Sequence, residues 1–191
     1  VIWNLPNMLT WLRILTIPLI VVLFLIGGSN QRSIAFPIAG VLFALAALTD
    51  TLDGYLARRL HQTTRLGSFL DPVADKLIVA VALVLIVSRD ARALMVLTAA
   101  VIIGREIAIS ALREWMAGIG QRTTVAVSRL GKFKTILQMT GVTMLLFRVD
   151  LGPLPIYQIG QWLTVIAALL TLISMALYLR AAWPHLSAPA S

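Results

Sequence analysis

Asp71-Pro72-Val73-Ala74-Asp75-Lys76 runs directly into residues 77–87, LIVAVALVLIV. A segment with no polar position has no face for water, so it must be surrounded by protein or lipid. Similar runs cover residues 14–26 and 159–179. One soluble core in a chain of 191 residues could not hide all three without large exposed apolar patches. The composition agrees, with 59% hydrophobic and 13% charged residues against about 45–50% and 25% in ordinary soluble domains. The solvent for this chain is therefore expected to be a bilayer, and the chain is read as one membrane domain over residues 1–191.

A membrane-crossing helix needs about 20 mostly apolar residues at 1.5 Å each. Dividing the chain at its Gly, Pro and charged interruptions gives six such stretches, near 8–26, 34–59, 70–88, 93–118, 127–148 and 155–180. The breaks carry turn residues, among them Gly27-Gly28-Ser29-Asn30, Gly118-Ile119-Gly120-Gln121 and Gly152-Pro153-Leu154-Pro155. The first run lacks a small-residue cleavage site and is expected to be a retained span. The expected fold is an all-α integral membrane protein with six transmembrane helices.

The formal net charge of +8 comes from 16 Lys+Arg against 8 Asp+Glu. These cations punctuate apolar runs and form no stripe on a soluble face, which argues against nucleic acid as a partner and for anionic lipid headgroups and phosphorylated substrates. With six spans, Arg13, Arg58, Arg59, Arg65, Arg122, Arg129, Lys132, Lys134 and Arg180 fall on one side. Only Arg32, Arg89, Arg92 and Arg148 fall on the other. Cation-rich loops stay in the cytoplasm, so both termini are expected there. The absence of Cys excludes disulfides, thiolate metal sites and Cys nucleophiles. No His-x-Lys-x4-Asp arrangement occurs, and His61 and His185 read as interfacial surface residues. The five Trp residues mostly fall near span ends and read as headgroup-level anchors.

Four of the eight acidic residues, Asp50, Asp53, Asp71 and Asp75, lie within 26 positions at the junction of the second and third spans. The first two are i,i+3 and the last two i,i+4, so each pair shares a helix face. If the two spans are antiparallel neighbours, four carboxylates converge near the cytoplasmic interface. Their mutual repulsion calls for cations, and oxygen-only ligation suits Mg²⁺, Mn²⁺ or Ca²⁺. The competing reading is a set of helix-end acids paired with Arg58, Arg59, Arg65 and Lys76. Gly54 and Gly67 leave room for a ligand at the backbone, Ala57 keeps the same face shallow, and Arg58 offers a donor fork to phosphate.

Together these residues read Asp50-x2-Asp53-Gly54-x2-Ala57-Arg58-x8-Gly67-x3-Asp71-x3-Asp75, and the string resembles the signature of the CDP-alcohol phosphotransferase family at every defined position. Pro6-Asn7-Met8-Leu9-Thr10-Trp11-Leu12-Arg13 resembles the start of such enzymes. The segment Gly104-Arg105-Glu106-Ile107-x-Ile109-Ser110-x-Leu112-Arg113-Glu114-Trp115 resembles bacterial members that use a phosphorylated glycerol acceptor. The resemblance implies a six-span, usually homodimeric enzyme of the bacterial cytoplasmic membrane that binds two divalent ions, Mg²⁺ or Mn²⁺. It implies Asp50, Asp53 and Asp71 as metal ligands and Asp75 as a further ligand or the general base. It also implies Gly54, Ala57, Arg58 and Gly67 as contacts for the CDP moiety.

An acceptor with its own phosphate needs cations beyond the metal site. Arg105 and Arg113, at i and i+8, lie nearly on one face of the fourth span, and Lys132 and Lys134 open the fifth. These four are the candidate acceptor-phosphate ligands, although positive-inside loop charge also accounts for the two lysines. Arg105 and Glu106 point about 100° apart on a helix and need not pair. The expected reaction is attack by glycerol 3-phosphate on CDP-diacylglycerol with release of CMP. The rivals are the same chemistry with inositol phosphate, serine or another alcohol, and a divalent-cation transporter.

Overall fold

Within a bilayer each backbone N–H and C=O must be satisfied inside its own segment, which leaves the apolar runs only the helix. The computed structural model describes residues 5–28, 30, 33–60, 65–120 and 129–186. Inside the helices, the side chains of residues 5, 6, 51–60, 65, 68, 129–132 and 184–186 are outside the description. The described helices are α1 (Leu5–Ile26), α2 (Ala35–Leu60), α3 (Arg65–Arg89), α4 (Ala93–Gly118), α5 (Arg129–Phe147) and α6 (Ile156–Leu186). Each expected span falls on one of them. No strand forms among the described residues beyond an isolated bridge between Leu151 and Leu154.

The chain reverses where the sequence gives it freedom to do so. Gly28 follows α1 at φ +54°, a left-handed conformation that side-chain-bearing residues rarely adopt. α1 packs on α2 and α3, α2 on α5, and α5 on α6, while α4 bridges α3 and α6. The α5–α6 crossing is tight: a Cβ added at Gly141 would stand 2.4 Å from Thr164 Oγ1 and 3.0 Å from the Gly160 carbonyl oxygen. Small residues at such a crossing let two backbones meet, the usual means of helix association in lipid.

Phe24, Phe36, Phe43, Leu83, Ile86, Ile102 and Leu145 form the centre of one buried cluster. The buried positions of α4 (Met95, Thr98, Ala99, Ile102, Arg105, Ile109 and Met116) are mostly three, four or seven residues apart and mark a single inward stripe. The outward stripes are equally apolar. Leu12, Leu15, Leu19, Val22 and Leu25 on α1, and Trp162, Ile166, Leu169, Ile173 and Leu177 on α6, are all exposed. An exterior of that composition belongs in lipid. Among the described residues, three helices are long and apolar enough to cross a membrane: Asn7–Ile26, Ala93–Gly118 and Ile156–Trp183. Residues 35–50 and 133–147 form shorter apolar helices. In α3 the charges Asp71, Asp75 and Lys76 interrupt the apolar stretch.

A polar clasp closes the end of the bundle away from the aspartates. Arg92 donates to Asp90 through Nε (2.7 Å) and Nη2 (2.6 Å), and the Tyr157 hydroxyl at the start of α6 donates to the same carboxylate at 2.6 Å. The Arg92 guanidinium, helped by Tyr157, holds the Asp90 carboxyl well below the usual carboxylate range, and the Arg92 pKa is raised in turn. Arg148 lies over the rings of Phe36 and Tyr157, at 5.3 and 5.4 Å.

Candidate active site

Three polar residues interrupt the first turns of α1. Asn7, Thr10 and Arg13 stand at three-residue steps and are 4%, 1% and 2% exposed, so they form an inward face on an otherwise apolar helix. Thr10 Oγ1 donates to Asp71 of α3. Arg13 Nη1 donates to Asp75 of α3 and lies 3.2 Å from Asp50 Oδ1 of α2. One guanidinium therefore ties three helices together. A cation this deep is tolerated because two carboxylates answer it. The carboxylates keep an open side: their side chains are 39% (Asp50) and 35% (Asp75) exposed, against 1% for Arg13.

That open side faces a cavity of about 330 Å³, lined by Asp50, Asp71 and Asp75 together with Lys76, Glu106, Arg113, Gln138 and apolar neighbours. The expected convergence of the second and third spans is thus present for three of the four aspartates. Asp53, Gly54, Ala57 and Arg58 occupy the last turns of α2, but their side chains lie outside the described residues. Gly67 is buried in the first turn of α3, four residues before Asp71. The pairings expected with Arg58, Arg59 and Arg65 also involve side chains outside the description. Arg13 is the cation shared by Asp50 and Asp75; the sequence places it on the cytoplasmic side and in the opening segment that resembles the family, with no partner assigned.

The opposite wall belongs to α4 and α5. Glu106 Oε1 lies 3.0 Å from Arg105 Nη1 and 3.4 Å from Lys134 Nζ. Arg105 Nη2 also reaches Ser174 Oγ of α6 at 3.3 Å. The guanidiniums of Arg105 and Arg113 sit over the Tyr178 ring at 5.8 and 5.7 Å. Arg105 and Glu106 do pair, although positions about 100° apart on a helix did not require it; their long side chains fold toward each other at the cavity wall. Arg113 and Glu106 line the cavity itself, while Arg105 and Lys134 stand buried behind Glu106. The Lys132 side chain lies outside the described residues. Glu106 and Gln138 were missed as site residues. A Glu beside an Arg within an apolar span, and a Gln one turn beyond Lys134, were the available signals.

Among the described residues no three acidic side chains stand close enough together to enclose an ion. The donor chemistry nevertheless fits a hard divalent cation. Three carboxylates open onto one cavity, and Asp50 and Asp75 already share a cation in the form of Arg13. A second, mainly apolar cleft of about 370 Å³ starts at Asp50 and runs between α2 and α5. Ala44, Ala47, Leu48, Ile136, Met139 and Thr143 are among its lining residues. Asp50, Thr135 and Met139 line both spaces, so a polar chamber and an apolar groove meet at the aspartates.

The family model described as CDP-alcohol phosphatidyltransferase matches residues 3–175, and the chain belongs to that family. It is 49% identical over 184 residues to the CDP-diacylglycerol–glycerol-3-phosphate 3-phosphatidyltransferase of Pseudomonas fluorescens, covering 96% of this chain and 92% of that protein. It is 46% identical over 180 residues to the proteins of the same name from Salmonella choleraesuis (strain SC-B67) and Shigella flexneri, covering 94% of this chain and 95% of each relative.

Proposed function

We propose that this chain transfers a phosphatidyl group from CDP-diacylglycerol to glycerol 3-phosphate, giving phosphatidylglycerophosphate and CMP. The observation that carries this reading is one cavity with Asp50, Asp71 and Asp75 on one wall and Arg113 on the other, joined at Asp50 to an apolar groove. Such a site receives a nucleotide-linked pyrophosphate, a second phosphorylated substrate and a lipid tail together. The names of the bacterial relatives point to the same pair of substrates. In the same reading, six helices cross the inner membrane with both termini and the cavity on the cytoplasmic side, and the protein works as a homodimer. The excess of cations at the aspartate end supports the orientation.

Asp50, Asp53, Asp71 and Asp75 would hold divalent metal, Mg²⁺ or Mn²⁺, which when bound neutralises the pyrophosphate and stabilises charge on departing CMP. The residues of the chain perform the remaining tasks. Arg113, with Lys132, holds the acceptor phosphate, while Arg105 and Lys134, fixed behind the wall by Glu106, add positive charge at its back. Asp75 accepts the proton of the acceptor's primary hydroxyl as its oxygen bonds to the lipid-side phosphorus and the bond from that phosphorus to the CMP oxygen breaks. Gly54, Ala57, Arg58 and Gly67 border the CDP moiety, and the α2–α5 groove takes acyl chain.

Steady-state kinetics of Arg113→Ala with varied glycerol 3-phosphate test the assignment. The expected result is a raised apparent KM for the acceptor with little change in that for the CDP-lipid. Unchanged acceptor saturation would place the acceptor elsewhere.

A further inference from the structure

Gln138 of α5 is 4% exposed, and its side-chain oxygen receives no hydrogen bond from any described residue. It lines the same cavity as Asp75 and Arg113. Buried polar atoms are nearly always satisfied, because an unmade hydrogen bond leaves the cost of desolvation uncompensated. An unmet acceptor beside a substrate cavity is therefore a place for a substrate donor. Gln138 also stands four residues beyond Lys134, on the same face of α5. Lys134 in turn contacts Glu106 of the acceptor wall at 3.4 Å.

The neutral amide limits what it can bind. Its oxygen would repel a phosphate oxygen, since both are acceptors, but it suits an O–H group. A hydroxyl both donates and accepts, so it serves the amide in either orientation. Glycerol 3-phosphate offers three functional groups. Its phosphate belongs to the cationic wall and its primary hydroxyl to Asp75, which leaves the secondary hydroxyl.

We propose that Gln138 hydrogen-bonds the secondary hydroxyl of glycerol 3-phosphate and so selects a glycerol-based acceptor over one lacking that group. This rests on the reading of Arg113 and Asp75 as the two ends of the acceptor site. The test compares glycerol 3-phosphate with 3-hydroxypropyl phosphate, which keeps the primary hydroxyl and the phosphate but lacks the secondary hydroxyl. The unsubstituted protein is expected to prefer glycerol 3-phosphate in kcat/KM by at least about tenfold. Gln138→Met, of similar reach but without the amide, is expected to bring that ratio close to one by raising KM for glycerol 3-phosphate, with kinetics on the deoxy acceptor retained.

No preference in the unsubstituted protein, or a full preference kept by Gln138→Met, overturns the proposal. Should Gln138→Met lose turnover with both acceptors, Gln138→Glu, which keeps an accepting oxygen at the same position, decides: a retained preference supports the assignment and a lost one overturns it. Arg113→Ala run in parallel should weaken both acceptors alike. If it weakens neither while Gln138→Met still abolishes the preference, the phosphate assignment fails and that of Gln138 stands.

Discussion

Arg13 of α1 donates to Asp75 of α3 and lies 3.2 Å from Asp50 of α2, so the aspartate cluster carries a counter-ion within the fold. Removing the guanidinium leaves two carboxylates facing each other with less compensation. Arg13→Gln is expected to destabilise the metal-free protein by about 2 kcal/mol, below the ~3–5 kcal/mol for fully buried pairs because both carboxylates keep contact with the cavity. Thermal unfolding in detergent with and without Mg²⁺ measures this. Added metal should restore more of the loss than it adds to the unsubstituted protein, whereas equal gains in both would mean that Arg13 and metal do not answer the same charges.

Chelation of divalent metal is expected to abolish transfer, since a cluster of carboxylates repels a pyrophosphate when nothing cationic stands between them. Asp50→Asn and Asp71→Asn each remove one ligand charge while nearly preserving shape, and both should require more Mg²⁺ for half-maximal turnover. Full activity in excess chelator, or an unchanged metal requirement in both variants, contradicts the ligand assignment.

Asp75 is assigned the proton-accepting role, and a general base acts as the attacking hydroxyl loses its proton. Asp75→Asn should therefore lower kcat by about 10²–10⁴-fold while changing the apparent KM for the CDP-lipid far less. A metal titration separates the roles: recovery of turnover at high Mg²⁺ identifies Asp75 as a ligand alone.

The helices were legible because their apolar runs end at turn residues such as Gly27-Gly28 and Gly152-Pro153, and the observed bounds fall within a few residues of the expected ones. The aspartates were legible because helical spacing is a local property of sequence. Arg13 was not, because a basic residue near a span end reads equally as a loop charge; only the three-residue steps Asn7, Thr10 and Arg13 indicate a buried polar face. The Arg105–Glu106 pair and the open acceptor on Gln138 depend on which helices pack beside α4 and α5, and spacing within a single helix carries no record of its neighbours.

At the other end of the bundle, Asp90 accepts hydrogen bonds from Arg92 and Tyr157, and its pKa is lowered, chiefly by Arg92. A depressed folded-state pKa means the clasp contributes its full stability above the ordinary carboxylate value of about 4. That stability is lost as pH falls below this value toward the folded-state pKa. Asp90→Asn should show a lower Tm than the unsubstituted protein at neutral pH, and the gap should narrow below about pH 4. A gap that stays constant into acid would mean that the Asp90 charge is not what holds the clasp.

The most direct test of the account supplies the purified protein with CDP-diacylglycerol, Mg²⁺ and one acceptor at a time: glycerol 3-phosphate, inositol phosphate or serine. CMP release and the lipid product are measured together. The account predicts phosphatidylglycerophosphate and CMP in equal amounts with glycerol 3-phosphate, and little CMP with the others. Equal CMP release whichever acceptor is present, or faster transfer to inositol phosphate or serine, would contradict it.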